Sequence, residues 1–160
     1  MTVNTQILKL AKTLFVEAEW PHIECYLHNH IPNRTHTLFI EDELAAFVIV
    51  NAEKSGESQF AFISYCGVSP KHQGKGYGSK LLKETLTSIF QADFTATRLY
   101  VDKWNNDARR LYERLGFKQI GSEIVAGSDC WLYELLRRDI LFEDPVASIS
   151  ILPLKRTVAW

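Results

Sequence analysis

The sequence predicts a mixed domain on the border between α/β and α+β, with a central, largely antiparallel sheet flanked by helices. Three observations lead there. Four segments carry apolar residues at helical spacing, and six others alternate or run apolar in the manner of strands. One strand–helix–strand crossover is placed between Val68 and Leu99. No repeat, low-complexity tract or Pro/Gly-rich linker divides the 160 residues, a length that suits one core.

Ile7, Leu8, Leu10, Ala11, Leu14 and Phe15 place an amphipathic helix from about Gln6 to Glu19. Pro21 suits the first turn of a second helix that runs to about Asn29, before Pro32 and Asn33 break it. Thr37 to Ile40 reads as a strand, Glu41-Asp42-Glu43 as a hairpin turn, and Leu44 to Val50 as a strand buried on both faces. Ser55-Gly56-Glu57 marks the next turn, and Gln59 to Val68 the third strand.

A Gly-rich segment then opens a helix whose stripe is Leu81, Leu82, Leu86, Ile89 and Phe90. Arg98 to Val101 is a fourth strand. Ala108, Leu111, Tyr112 and Leu115 form one face of a shorter helix that Gly116 ends as a left-handed cap. Phe117 to Val125 and Cys130 to Leu136 close the sheet around Ala126-Gly127-Ser128-Asp129.

Composition narrows the function classes. The hydrophobic share of 46% and charged share of 23% are those of a folded globular chain. Eighteen Lys and Arg against 19 Asp and Glu give a net charge of −1, which removes the electrostatic case for a nucleic-acid partner. No apolar run approaches the roughly 20 residues of a membrane span. The first residues lack the basic and apolar blocks of a secretory signal, so a cytoplasmic protein is expected. Cys25, Cys66 and Cys130 are an odd number without CxxC spacing, which argues against a disulfide framework.

The chemistry concentrates in Val68-Ser69-Pro70-Lys71-His72-Gln73-Gly74-Lys75-Gly76-Tyr77-Gly78-Ser79, which joins a strand end to a helix start. Glycines there let the backbone turn tightly and aim several N–H groups at one point, an anion site of the kind phosphate occupies. A Walker A loop would need Ser or Thr where Gly76 stands, and the dinucleotide fingerprint would need Gly where Ser79 stands. The second stretch, Asn105 to Phe117, follows the fourth strand at once.

Together the two stretches resemble the GNAT superfamily of N-acetyltransferases. Its first motif, Q/R-x-x-G-x-G/A after a V-x-P strand end, is matched by Val68, Pro70, Gln73, Gly76 and Gly78. Its second, N-x-x-A-x-x-L-Y-E-x-x-G-F, is matched by Asn105, Ala108, Leu111, Tyr112, Glu113, Gly116 and Phe117. The motifs lie between about Phe60 and Gly121, and the element order extends the likeness from about Gln6 to Arg137.

The resemblance implies a cleft between two splayed strands and acetyl-CoA as acyl donor, with no metal. Gln73 is an expected cofactor-binding residue, and the cofactor pyrophosphate is expected on the N–H groups of Gly74, Lys75, Gly76, Tyr77, Gly78 and Ser79. The pantetheine arm is expected beside Cys66, Gly67 and Val68, with an N–H of Cys66 or Val68 polarising the thioester carbonyl. Asn105 would contact the cofactor arm or fix the loop into the last helix. Tyr112 would protonate the departing thiolate; on packing grounds alone it would share the core face of Ala108 and Leu115.

Some relatives carry a carboxylate base five residues before the motif Asn, where this chain has Tyr100. Asp102, Tyr100, His72 or a water chain are the remaining candidates. Cys66, with no His beside it in sequence, reads as an inert core residue rather than an acyl carrier. His22, Cys25, His28 and His30 match no zinc template. With Glu19, Trp20, Glu24 and Tyr26, that region belongs to the part from which relatives build the acceptor site. Its carboxylates suit a cationic acceptor or a solvated helix face.

The expected activity is direct transfer of acetyl to a primary amine, on a small molecule or a peptide, in a ternary complex. The alternative is a non-catalytic acyl-CoA sensor or interaction module of the same fold. Residues 1–138 form the expected acetyltransferase domain. Residues 139–160 are expected as a C-terminal extension, packed on the domain or at a homodimer interface.

Overall fold

The computed structural model of the chain describes residues 1–28, 35–56 and 58–140. Helix α1, Val3–Leu14, starts at Thr2, whose hydroxyl accepts the N–H of Thr5 at 3.1 Å. It ends five residues earlier than the periodicity predicts. Phe15 is extended, its N–H bonding Ala11, and the Trp20 indole donates to the Phe15 carbonyl at 2.9 Å. That indole bond satisfies a carbonyl the helix leaves open. Glu17–Glu19 form a single 3-10 turn instead, which carries Glu19 inward.

Helix α2, Trp20–His28, is tied to α1 by Asn4 Nδ2, which donates to the Leu27 carbonyl at 3.0 Å. The predicted break at Pro32 and Asn33 lies outside the described residues. Strands β1, Thr35–Ile40, and β2, Glu43–Ser55, are joined by Glu41 and Asp42, both in the left-handed region at φ 49° and 65°. That pair matches the twist of a tight hairpin, and Glu43 already belongs to the strand. Strand β3, Ser58–Val68, is followed by helix α3, Tyr77–Gln91, and strand β4, Ala96–Asp102. Helix α4, Asn106–Leu115, and the hairpin β5, Lys118–Val125, with β6, Ser128–Leu136, complete the domain.

The sheet order is β1-β2-β3-β4-β6-β5, antiparallel except between β3 and β4. This is the predicted mixed, largely antiparallel architecture with one crossover. Helices α1 and α2 cover one face of the sheet, over Phe47, Ile49 and Tyr65. Helices α3 and α4 cover the other, over Val48, Ile63, Cys66, Leu99 and Tyr133. Leu82 and Leu86 are fully buried there, each worth about 2 kcal/mol of transfer free energy.

One irregularity in β3 prepares the site. Ile49 pairs with Tyr65 and Val50 with Ile63, so Ser64 is an extra residue. The bulge shifts the alternation by one place, so that Ala61, Ile63, Cys66 and Val68 all face the α3–α4 core. Tyr65 and Gly67 are left on the α1–α2 side. Asn51 Nδ2 closes the bulge on Ser64 Oγ at 2.7 Å.

No described helix is long and apolar enough to cross a membrane. Residues 141–160 lie outside the described residues, and with them most of the expected C-terminal extension.

Candidate active site

Strands β3 and β4 pair at only two positions, Ala61 with Thr97 and Phe62 with Arg98. Both strands run on for several residues, to Val68 and Asp102, without pairing there. A slot therefore opens between Cys66–Val68 and the end of β4. This is the splayed pair that the family resemblance implies.

The loop beyond β3 is braced from within. The Ser69 N–H bonds the Ala45 carbonyl at 2.8 Å, and the His72 N–H bonds the Ser69 carbonyl at 2.8 Å. Gln73 Nε2 donates to the Val68 carbonyl at 3.0 Å, so its amide fixes the strand end rather than pointing to open space. Backbone bonds of the loop stop at the Gln73 N–H and resume at the Lys80 N–H, which bonds Gly76. The six N–H groups from Gly74 to Ser79 fall between them. Gly74 and Gly76 have φ of 77° and 84°, a region that side chains with a Cβ disfavour. Lys75 is exposed, Tyr77 half-buried, and Gly78 and Ser79 are buried in the first turn of α3. Those N–H groups stand at the positive end of a 15-residue helix, a geometry that suits an anion.

On the α4 side of the slot stand Cys66 and Tyr112, both about 1% exposed. Burial pushes the Cys66 thiol up to about 12. Burial first, and the neighbouring Cys66 second, push the Tyr112 phenol well above its ordinary value. Both groups therefore stay protonated at neutral pH, and Cys66 has none of the thiolate character an acyl carrier needs.

Asn105 is the N-cap of α4: its Oδ1 accepts the Ala108 N–H at 3.3 Å. Among the described residues its Nδ2 is buried without a partner, a donor left unsatisfied.

On the opposite face lies a cavity of about 320 Å³. Its walls come from the turn before α2 (Glu19), α2 (His22, Tyr26), β3 (Phe62, Ser64, Tyr65) and β4 (Tyr100), with Glu53 and the β5–β6 turn at its rim. Trp20 and Glu24, from the predicted acceptor region, do not line it. Glu19 is 2% exposed, and Tyr65 donates its hydroxyl proton to Glu19 Oε2 at 2.6 Å. Burial and that bond push the Tyr65 phenol far up.

The predicted base candidates fare unequally. Tyr100 lines the cavity, but burial and its 2.5 Å bond to Glu123 push the phenol up to about 12, which keeps it neutral. Asp102 is buried and engaged: Ser128 Oγ and Cys130 Sγ, the latter at 3.6 Å, both donate to its Oδ1, tying β4 to β6. His72 packs against Tyr77, ring centroids 6.0 Å apart, in the loop beyond β3. Glu19 is the carboxylate whose surroundings the sequence leaves open between an acceptor site and a solvated helix face. It sits in the expected acceptor region, but only the fold reveals that it is enclosed. Among the described residues, no three His, Cys, Asp or Glu are grouped to hold a metal ion.

Comparison with known proteins bears on these features. A model of the acetyltransferase (GNAT) family matches residues 5–117. A mycothiol acetyltransferase of Acidothermus cellulolyticus is 36% identical over 70 residues, 44% of this chain. The chain spans about a fifth of that protein's length, 21%. Among solved structures, one chain of a NatC complex bound to Gag peptide and CoA aligns with a TM-score of 0.73 at 17% identity, covering 83% of this chain and 89% of its own. Ard1 from Thermoplasma volcanium aligns at 0.69 and 18%, covering 89% and 95%. At such identities the structural likeness speaks for the fold.

Proposed function

The chain belongs to the acetyltransferase (GNAT) family, and from that premise we propose that it moves an acetyl group from acetyl-CoA to a primary amine of a small molecule or peptide. The observation that carries this reading is the slot between β3 and β4, with a cavity on one face and Tyr112 and Cys66 on the other. A thioester lying in the slot is open to attack from one side and to proton donation from the other.

In this reading the N–H groups of Gly74 to Ser79 hold the cofactor pyrophosphate. The pantetheine arm runs along the unpaired edge of Cys66, Gly67 and Val68, and the Asn105 amide gains in it the acceptor that the described residues do not provide. The amine nitrogen attacks the carbonyl carbon, and an N–H of Cys66 or Val68 stabilises the oxyanion. As the tetrahedral adduct collapses, the C–S bond breaks and the thiolate takes the Tyr112 proton.

Burial raises the phenol, which by itself weakens it as an acid. The Cys66 thiol beside it, pushed up to about 12, shows what the same surroundings do to a thiolate. Donor and acceptor shift in the same direction, so part of that loss is offset.

The experiment is CoA thiol release across a panel of primary amines, with the wild type and Tyr112→Phe. Removal of a general acid should lower kcat by about 10²-fold or more while acetyl-CoA affinity holds within about twofold. Equal turnover in both proteins removes Tyr112 from the mechanism. Acetyl-CoA binding without thiol release for any amine points instead to a sensor of the same fold.

A further inference from the structure

The transfer as described leaves the acceptor's proton without a destination. An alkylamine with a pKa near that of lysine, about 10.4, arrives as an ammonium ion and must lose a proton before nitrogen can attack. Among the groups named for that task, Tyr100 is a neutral phenol, Asp102 is held by Ser128 and Cys130, and His72 lies in the loop beyond β3.

Glu19 has the required placement. Its carboxylate lines the cavity, 2% exposed, and a single-turn helix and the Trp20–Phe15 bond beside it set its position. Tyr65, on the splayed strand and adjacent in sequence to Cys66, holds Oε2 at 2.6 Å. A carboxylate taken out of water is costly unless a cation or several donors compensate. Among the described residues, no Lys or Arg lines this cavity.

The titratable groups that face it are His22 and Tyr26 from α2, Glu53 from β2, Tyr65 from β3 and Tyr100 from β4. The rings of Tyr26 and Tyr65 stand 5.9 Å apart, and those of Phe62 and Tyr100 stand 5.2 Å apart. This is a negatively charged, aromatic-walled chamber, the surroundings that favour an organic cation.

Resting on the acetyltransferase reading, we infer that Glu19 anchors the acceptor as an ammonium ion and takes its proton, and that the acceptors are primary amines with an apolar or aromatic body and no carboxylate beside the nitrogen. One proton passes from nitrogen to Glu19 and on to solvent through the cavity mouth. The freed lone pair forms the C–N bond of the tetrahedral adduct, and the thioester C–S bond breaks as that adduct collapses. The second nitrogen proton leaves at collapse and makes good the one that Tyr112 gives to the thiolate, so that each turnover releases one proton. Tyr65 is a positioning residue that fixes the carboxylate.

The test uses the full chain, with Glu19→Gln and Tyr65→Phe. The probes are phenethylamine and phenylalanine, which differ by the carboxylate, together with the best acceptor from the amine panel. In the wild type, kcat/KM should form a plateau that ends near the pKa of the amine, and phenethylamine should be preferred to phenylalanine. In Glu19→Gln, kcat/KM should fall about 10²-fold or more. The plateau should give way to a rise of one log unit per pH unit up to the amine pKa, with stabilisation by acetyl-CoA unchanged. Tyr65→Phe should raise KM and keep the plateau.

A Glu19→Gln profile of unchanged height and shape overturns the inference, as does a preference for phenylalanine. Stabilisation of the protein by phenethylamine alone is the second readout. Its loss in Glu19→Gln supports the anchor, and equal stabilisation of both proteins overturns it. If the wild type neither binds acetyl-CoA nor releases thiol, the acetyltransferase reading fails, and this amine-binding comparison still decides the anchor. Should Glu19→Gln not fold, a Tyr65→Phe protein with wild-type KM for the amine overturns the inference.

Discussion

Asn105 carries two polar groups that different substitutions separate. Its Oδ1 caps α4 by accepting the Ala108 N–H at 3.3 Å, and its Nδ2 is a buried donor without a partner among the described residues. Asn105→Ala removes both. Loss of an N-cap costs about 1 kcal/mol, which for a domain of this size lowers Tm by about 2–4 °C. Asn105→Ser keeps a capping oxygen of nearly equal quality and loses only the amide donor, so its Tm should stay within about 1 °C of the wild type. Acetyl-CoA affinity should respond differently. One hydrogen bond from a buried amide contributes about 0.5–1.5 kcal/mol, so both variants should bind up to about tenfold more weakly. Differential scanning calorimetry gives the first quantity, and titration calorimetry with acetyl-CoA gives the second. An Asn105→Ser protein with wild-type Tm and wild-type affinity would show that the residue is a cap and nothing more.

Two further substitutions probe the slot itself. A Cβ at Gly67 would stand 2.6 Å from Phe47 Cε1 and 2.8 Å from Leu14 Cδ1, so Gly67→Ala should cost about 1–3 kcal/mol in urea unfolding; an unchanged midpoint would mean that α1 yields freely. Cys66 should govern part of the alkaline stability. Above about pH 9 the unfolded chain releases the thiol proton while the folded chain, with its thiol at about 12, retains it. The unfolded state then binds fewer protons, so stability falls as pH rises across that window, with Cys66 contributing up to about 1.4 kcal/mol per pH unit. Cys66→Ala should flatten the slope by that amount and keep acetyl transfer within a few-fold; loss of transfer would revive an acyl-enzyme.

Local periodicity carries most of the fold. The stripe of α3 and the Ala108, Leu111, Tyr112 and Leu115 face of α4 are legible because each follows from contacts within a few turns. The bulge at Ser64 is not legible, because the run from Ile63 to Val68 is buried throughout and only the pairing with β2 shows the slip of one place. The end of α1 is not legible either. It depends on the Trp20 indole reaching back to Phe15, a tertiary event that apolar spacing does not register. The same holds for the site. The Gly-rich loop and Asn105 announce themselves in sequence, because backbone geometry and capping are local. Glu19 looks like any carboxylate at a helix end until β3 brings Tyr65, 46 residues away, against it. Asp102 and Tyr100 look free until the β5–β6 hairpin supplies Ser128, Cys130 and Glu123.

The central claim is that the slot and the N–H groups from Gly74 to Ser79 form an acetyl-CoA site. Thermal unfolding with saturating acetyl-CoA, and with ATP and NAD as controls, tests it most directly. At one hundred times its dissociation constant a ligand adds about 2.7 kcal/mol of apparent stability, equivalent to about 5–10 °C in a chain of this length. A shift of that size with acetyl-CoA and little or none with the controls is the expected result. No shift with acetyl-CoA, or an equal one with ATP, would contradict the site and every role assigned around it.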